Sequence, residues 1–88
     1  MEFEWDEAKR LVVLEKHRVD FADVMLIFDG PHIILSARSE VEARNIAVGP
    51  LVDRIISVIF TRRGDVVRLI TARGARKSEK REYRAMYT

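Results

Sequence analysis

The chain has 88 residues, 48% of them hydrophobic and 34% charged, and it holds no cysteine. That composition fits one globular domain over residues 1–88 and leaves no disulfide, no thiolate metal site and no apolar run near the ~20 residues of a membrane span. The formal net charge of +2 is unevenly spread, since residues 1–53 carry 6 Lys/Arg against 11 Asp/Glu and residues 54–88 carry 10 against 3. A half this basic suits either a phosphate-rich partner or a solvated cationic face.

The opening MEFEWDEAKR is acidic and has no apolar h-region, so no secretory signal is expected and a cytoplasmic address fits. Glu2 to Glu4 can form a short strand. Asp6 is a natural N-cap, and Ala8, Leu11 and Val12 recur at i, i+3 and i+4, which predicts a helix over residues 7–16. Asp20 caps a second predicted helix in which Phe21, Val24, Met25 and Phe28 follow helical spacing, until Asp29-Gly30-Pro31 ends it. The two helices meet at a corner holding Lys16-His17-Arg18, a basic run inside the acidic half.

From Ile33 the pattern changes to β-branched runs: Ile33 to Ala37, Arg44 to Val48, Arg54 to Phe60 and Val66 to Thr71. Four such runs joined by short links predict an antiparallel meander. Thr61-Arg62-Arg63-Gly64-Asp65 supplies a hairpin turn with two arginines at its base. Beyond Gly74, Ser78 and Glu79 open an amphipathic helix with Tyr83, Met86 and Tyr87 along one side. The expected fold is therefore α+β, β-α-α-β-β-β-β-α, with two N-terminal helices, a four-stranded antiparallel sheet and a C-terminal helix.

His17 stands between two cations, which disfavour a further positive charge and leave a ring that can accept a proton; the alternative is a histidine that only meets the helix dipole. Arg62, Arg63, Arg68 and Arg73 come from one hairpin, and alternation divides them between faces. Arg63 and Arg73, near strand ends, can reach a phosphate bidentately or simply cover the sheet edge. Glu79 and Tyr83 share a face of the last helix and are either catalytic or structural, core packing being the commoner role of such a tyrosine. Trp5 is more often a core anchor than a stacking platform, and His32 beside Pro31 reads as structural.

The two histidines are fifteen residues apart, and no GxGxxG or P-loop occurs, so no metal and no cofactor is expected. RNA cleavage suits such a set, because the ribose 2′-hydroxyl is a built-in nucleophile that needs only positioning, proton transfer and charge stabilisation.

FEWDEAK at 3–9, KHRVDFADV at 16–24, Arg44 with Ile46 and Gly49, FTRRGDVVRLITAR at 60–73 and ARKSEKREY at 75–83 together resemble the BrnT family of toxins. The resemblance implies a RelE-like fold and a metal-independent endoribonuclease toxin of a bacterial type II toxin-antitoxin system. It also implies growth arrest, neutralisation by a BrnA-like antitoxin with a ribbon-helix-helix DNA-binding part, and operator DNA contacted through that antitoxin. Carried over by position, His17, Lys16, Arg63 and Arg73 are the implied catalytic residues, followed by Glu79 and Tyr83. Trp5 also falls on the family's motif as a residue of the RNA-facing surface, and Arg18, Arg62, Arg76 and Lys77 are expected as further RNA contacts. His17 would move protons while Lys16, Arg63 and Arg73 hold the scissile phosphate. The family usually has asparagine where Ala8 and Val13 stand and glycine where Arg18 stands, which keeps a second reading open: an inactive BrnT-like module acting only in an antitoxin and operator complex.

Overall fold

The structure, a computed structural model, describes residues 1–37 and 43–87. Along the chain run β1 (Glu2–Glu4), α1 (Glu7–His17), a 3-10 turn (Phe21–Asp23), α2 (Met25–Asp29), β2 (Ile33–Ala37), β3 (Arg44–Leu51), β4 (Arg54–Arg63), β5 (Val66–Gly74) and α3 (Lys77–Met86). The expected element order holds, and β2 to β5 form the antiparallel meander.

The sheet itself corrects the expectation: it has five strands in the order β1-β5-β4-β3-β2 and is mixed rather than four-stranded and antiparallel. β1 lies parallel to β5, with Glu2 opposite Val66 and Glu4 opposite Arg68. Three residues are too few to show a period, yet β5 would otherwise present a row of unpaired backbone groups that β1 satisfies. Phe3 pins the strand by meeting Phe28 edge to face at 5.3 Å.

Residues alternate between the two faces of β4, and Ile56, Val58 and Phe60 point toward α1 and α2. With Ala47, Val67, Leu69 and Ala72 from the sheet and Val13, Val19, Phe21, Val24 and Ile27 from the helical layer, they make the core. Ser57 and Thr61 point to the other face, where α3 packs through the buried Glu79 and Tyr83.

A bulge decides which side of β5 faces which layer. Phe60 is opposite Leu69 but Ile59 is opposite Thr71, so Ile70 is the extra residue. Strict alternation from Val67 and Leu69 would send residue 73 into the core. The bulge instead returns Ala72 to the core and turns Arg73 toward α3, opposite Ser57.

Asp6 caps α1 as expected, its carboxylate accepting from the amides of Ala8 (2.8 Å) and Lys9 (3.3 Å). The buried face of α1, however, is not the Ala8, Leu11 and Val12 stripe. Leu11 and Val12 are each 55% exposed, whereas Val13 is 2% exposed. Arg10 and Leu14 flank Val13 half-buried, and Arg10 clamps Asp20 through Nε at 2.7 Å and a second guanidinium nitrogen at 3.0 Å. That fork, together with the Ala22 amide, holds the Asp20 carboxyl below the usual range and fixes the entry to the next turn. The second helix is broken into two pieces, since Asp23 and Val24 bond three residues back, to Asp20 and Phe21, before the α-helical turn of Met25–Asp29 begins.

Two residues other than glycine have left-handed backbones: Arg18 at the end of α1 (φ 58°) and Val52 in the β3–β4 turn (φ 58°). Side chains there cost on the order of 1–2 kcal/mol, and Val52, at 95% exposed, gains no packing in return. In the β4–β5 turn the same region is filled by Gly64 (φ +61°), as a two-residue hairpin requires. Gly49 answers a different need: a Cβ there would sit 3.0 Å from both the Ile27 side chain and the Pro31 carbonyl, so only glycine lets α2 close on β3.

Candidate functional site

The corner carrying Lys16, His17 and Arg18 is the C-terminal end of α1. Arg18 ends the helix in its left-handed conformation, its amide donating to the Leu14 carbonyl at 3.0 Å. Position 18 is therefore one whose backbone by itself favours glycine. Lys16 and Arg18 are exposed and His17 is half-buried.

The residue that meets this corner is Arg54, which the sequence did not single out. One guanidinium nitrogen donates to the carbonyls of His17 (3.2 Å) and Arg18 (3.3 Å), groups that the last turn of a helix leaves unpaired. A positive charge at that point is favoured by the helix dipole. The other terminal nitrogen of Arg54 lies 3.2 Å from where a Cβ on Gly74 would stand, so the end of β5 and the end of α1 converge on one arginine.

Arg73 lies near this end of the sheet but on the α3 face, and its guanidinium is engaged. It donates to both carboxylate oxygens of Glu79, at 2.7 and 3.0 Å. Glu79 also accepts from the Ser57 hydroxyl at 2.9 Å and from the Arg76 amide at 2.8 Å. Arg73 foremost, with those further donors, outweighs burial and lowers the Glu79 carboxyl to about 2. Glu79 is thus an anion near neutral pH, and its bonds fasten α3 to the sheet and fix Arg73.

Arg62 and Arg63 sit at the opposite end. Arg63 is opposite Val66 while Arg73 is opposite Ser57, six positions along β4, which at ~3.3 Å per residue is roughly 20 Å. The structure therefore does not bring Arg63 together with Arg73 and His17. Both hairpin arginines are exposed and neither has an ion pair among the described residues.

The other expected residues divide similarly. Trp5 packs against Phe21 with ring centres 6.1 Å apart and donates from Nε1 to Glu7 at 3.0 Å, anchoring the start of α1. That bond, with the contact from Arg10, lowers the Glu7 carboxyl. Tyr83 is buried against the sheet and stacks on Tyr87 at 5.2 Å. Arg76 and Lys77 are exposed at the start of α3. His32 is structural as expected, its Nδ1–H donating to the Gly30 carbonyl at 2.9 Å.

Two cavities meet at Arg54. One, of about 430 Å³, opens between the 3-10 turn and the β3–β4 turn and is lined by Arg18, Asp20, Leu26, Val52 and Arg54 among others. The second, of about 300 Å³, lies between the start of β4 and α3, with Asp53, Arg54, Gly74, Ala75, Lys80 and Arg84 in its walls. Among the described residues no three histidine or carboxylate side chains gather as metal ligands, and no helix is long and apolar enough to cross a membrane.

A family model described as the ribonuclease toxin BrnT of type II toxin-antitoxin systems matches residues 5–79. The crystal structure of the Brucella abortus ribonuclease toxin BrnT, at 1.1 Å resolution, is 32% identical to this chain. It superposes with a TM-score of 0.73 over 88% of this chain and 99% of its own. A search of curated proteins gave no match. The class that the fold and the family match define is thus the small α+β ribonuclease toxin of type II toxin-antitoxin systems. Within it, the chain belongs to the BrnT family.

Proposed function

We propose that this protein is a growth-arresting toxin that cleaves RNA in the cytoplasm without a metal ion, and that a BrnA-like antitoxin with a ribbon-helix-helix part neutralises it and carries it to operator DNA. The observation that supports this most is the family match itself, which spans residues 5–79 and so takes in both basic motifs.

In such a reaction the 2′-hydroxyl loses its proton as its oxygen bonds to phosphorus, the bond to the 5′-oxygen breaks, and that oxygen takes up a proton. A cyclic phosphate and a 5′-hydroxyl result. His17, at the exposed corner of α1, is the group suited to move these protons, and general acid–base catalysis of this kind contributes ~10²–10⁴-fold. Lys16 and Arg18 on either side supply charge for the phosphate. Arg73 holds the edge of this region through the Glu79 clamp, and Tyr83 carries α3. Arg62 and Arg63, roughly 20 Å away along β4, hold the RNA backbone beyond the cleaved bond rather than the bond itself. Arg76 and Lys77 extend the contact along α3, and Trp5 supports the base of α1.

Purified protein incubated with RNA in the presence of chelator tests this directly. Wild type is expected to cleave, and His17→Ala is expected to slow cleavage by about 100-fold or more while remaining folded. Equal cleavage by the variant removes the proton-transfer role of His17. Harmless induction of soluble, folded wild-type protein would instead favour the inactive module that acts only with its antitoxin and operator.

A further inference from the structure

We infer that the cavity between the start of β4 and α3 is a phosphate-binding subsite of the RNA-contacting surface, built by Arg54, Lys80 and Arg84. This rests on the reading of the protein as an RNA-cleaving toxin, and it adds residues that the basic motifs of the sequence do not contain.

Three observations carry it. The cavity, about 300 Å³, has three cationic side chains and one carboxylate, Asp53, in its walls, leaving a net charge of +2. Lys80 and Arg84 stand four residues apart on one face of α3, so both reach the same space. Among the described residues neither has a carboxylate partner, and Asp53 forms no ion pair with them.

The acid that could neutralise this face is turned away. Glu79, one residue before Lys80, is spent on Arg73 and Ser57 on the sheet side of the helix. The same clamp that fixes α3 therefore leaves its flank unbalanced. Like charges in excess of their one carboxylate repel one another, and an anion entering between them is bound by several donors at once.

Position makes that anion a backbone phosphate. Arg54 walls the cavity on one side and holds the carbonyls of His17 and Arg18 on the other, at 3.2 and 3.3 Å. A strand whose reacting phosphate lies at the His17 corner passes Arg54 and reaches Lys80 and Arg84 with a neighbouring phosphate. The subsite reads charge and shape but no base edge, so it contributes affinity and register without sequence preference.

The test pairs a small ion with a strand. Amide and side-chain NMR shifts are followed while inorganic phosphate, and separately a short 2′-O-methyl RNA that cannot be cleaved, is added to wild type, to the double variant Lys80→Ala with Arg84→Ala, and to Arg81→Ala. Arg81 is an exposed cation on the same helix outside the cavity walls.

In wild type both ligands are expected to shift Gly74, Ala75, Lys80 and Arg84, and the double variant is expected to lose these shifts. The slope of log affinity for the strand against log salt should fall by about 0.7, the loss of one single-strand phosphate contact, while Arg81→Ala keeps the pocket shifts. If Arg81→Ala costs as much as the double variant, binding is diffuse and the subsite does not exist. If phosphate shifts the pocket and the strand does not, the site belongs to a free phosphate and the inference falls. Pocket binding of the strand by a wild type that never cleaves RNA overturns the ribonuclease reading and leaves the subsite standing. Cleavage with a KM untouched by the double variant does the reverse.

Discussion

The two ends of the sheet hold arginines in opposite states. At the β4–β5 turn Arg62 and Arg63 project into solvent with no partner among the described residues, while at the other end Arg54 and Arg73 are locked by carbonyls and by a carboxylate. In sequence all four look alike: a guanidinium near a strand end. The difference teaches that a cation held in place by the fold and one standing free in solvent are told apart by what the opposite strand and the helices bring, not by spacing along the hairpin.

Removing the carboxylate at the locked end is the strongest way to break this contrast. Glu79→Ala leaves Arg73 without its partner in a half-buried place, and such losses cost about 3–5 kcal/mol; urea unfolding should show it. Acid tests the same pair without mutation. The carboxyl is lowered from 4.5 to about 2 in the folded protein, so its contribution is complete above about pH 4.5 and is lost as pH falls toward 2. That contribution is about 3 kcal/mol, and it should flatten in Glu79→Gln.

Arg54→Ala has a smaller effect, because its bonds are to carbonyls that water can also reach. About 1 kcal/mol of stability is expected to go, with faster hydrogen exchange in the last turn of α1 near His17. Smallest for the fold are Arg62→Ala and Arg63→Ala, each within about 0.5 kcal/mol of wild type. On the proposed reading their effect falls on RNA affinity, where each should lower the salt slope by about 0.7. A large loss of stability from either hairpin arginine would erase the distinction between the two ends.

Much of the architecture was legible because local chemistry and tertiary structure agree. Asp6 and Asp20 cap where expected, Gly64 turns the hairpin, and the β-branched runs became strands. The readings that failed did so where a neighbour decides the outcome. Leu11 and Val12 satisfied helical spacing, but the face of the helix that carries Arg10 to Asp20 is the one that packs, and Val13 is buried instead. β1 was too short to announce its pairing. The side of β5 to which Arg73 points depends on one extra residue at Ile70, which no alternation pattern reveals.

The candidate site was legible in its ingredients more than in its assembly. Lys16-His17-Arg18 was visible as a basic island, yet Arg54, its closest cationic support, lies 36 positions beyond Arg18 and belongs to no motif. Glu79 and Tyr83 were readable as one helix face, but only the structure tells that the face is inward.

The parallel pairing of β1 with β5 also bears on when the fold can close as the chain is being made. Residues 2–4 find their partners only at residues 66–68, and α3, which completes the other face, comes later still. Pairing between such distant positions carries a large loop-closure entropy, which slows folding. During synthesis the opening strand must therefore wait, unpaired, until most of the chain has left the ribosome. The assembled fold can therefore exist only after both β5 and α3 have been translated.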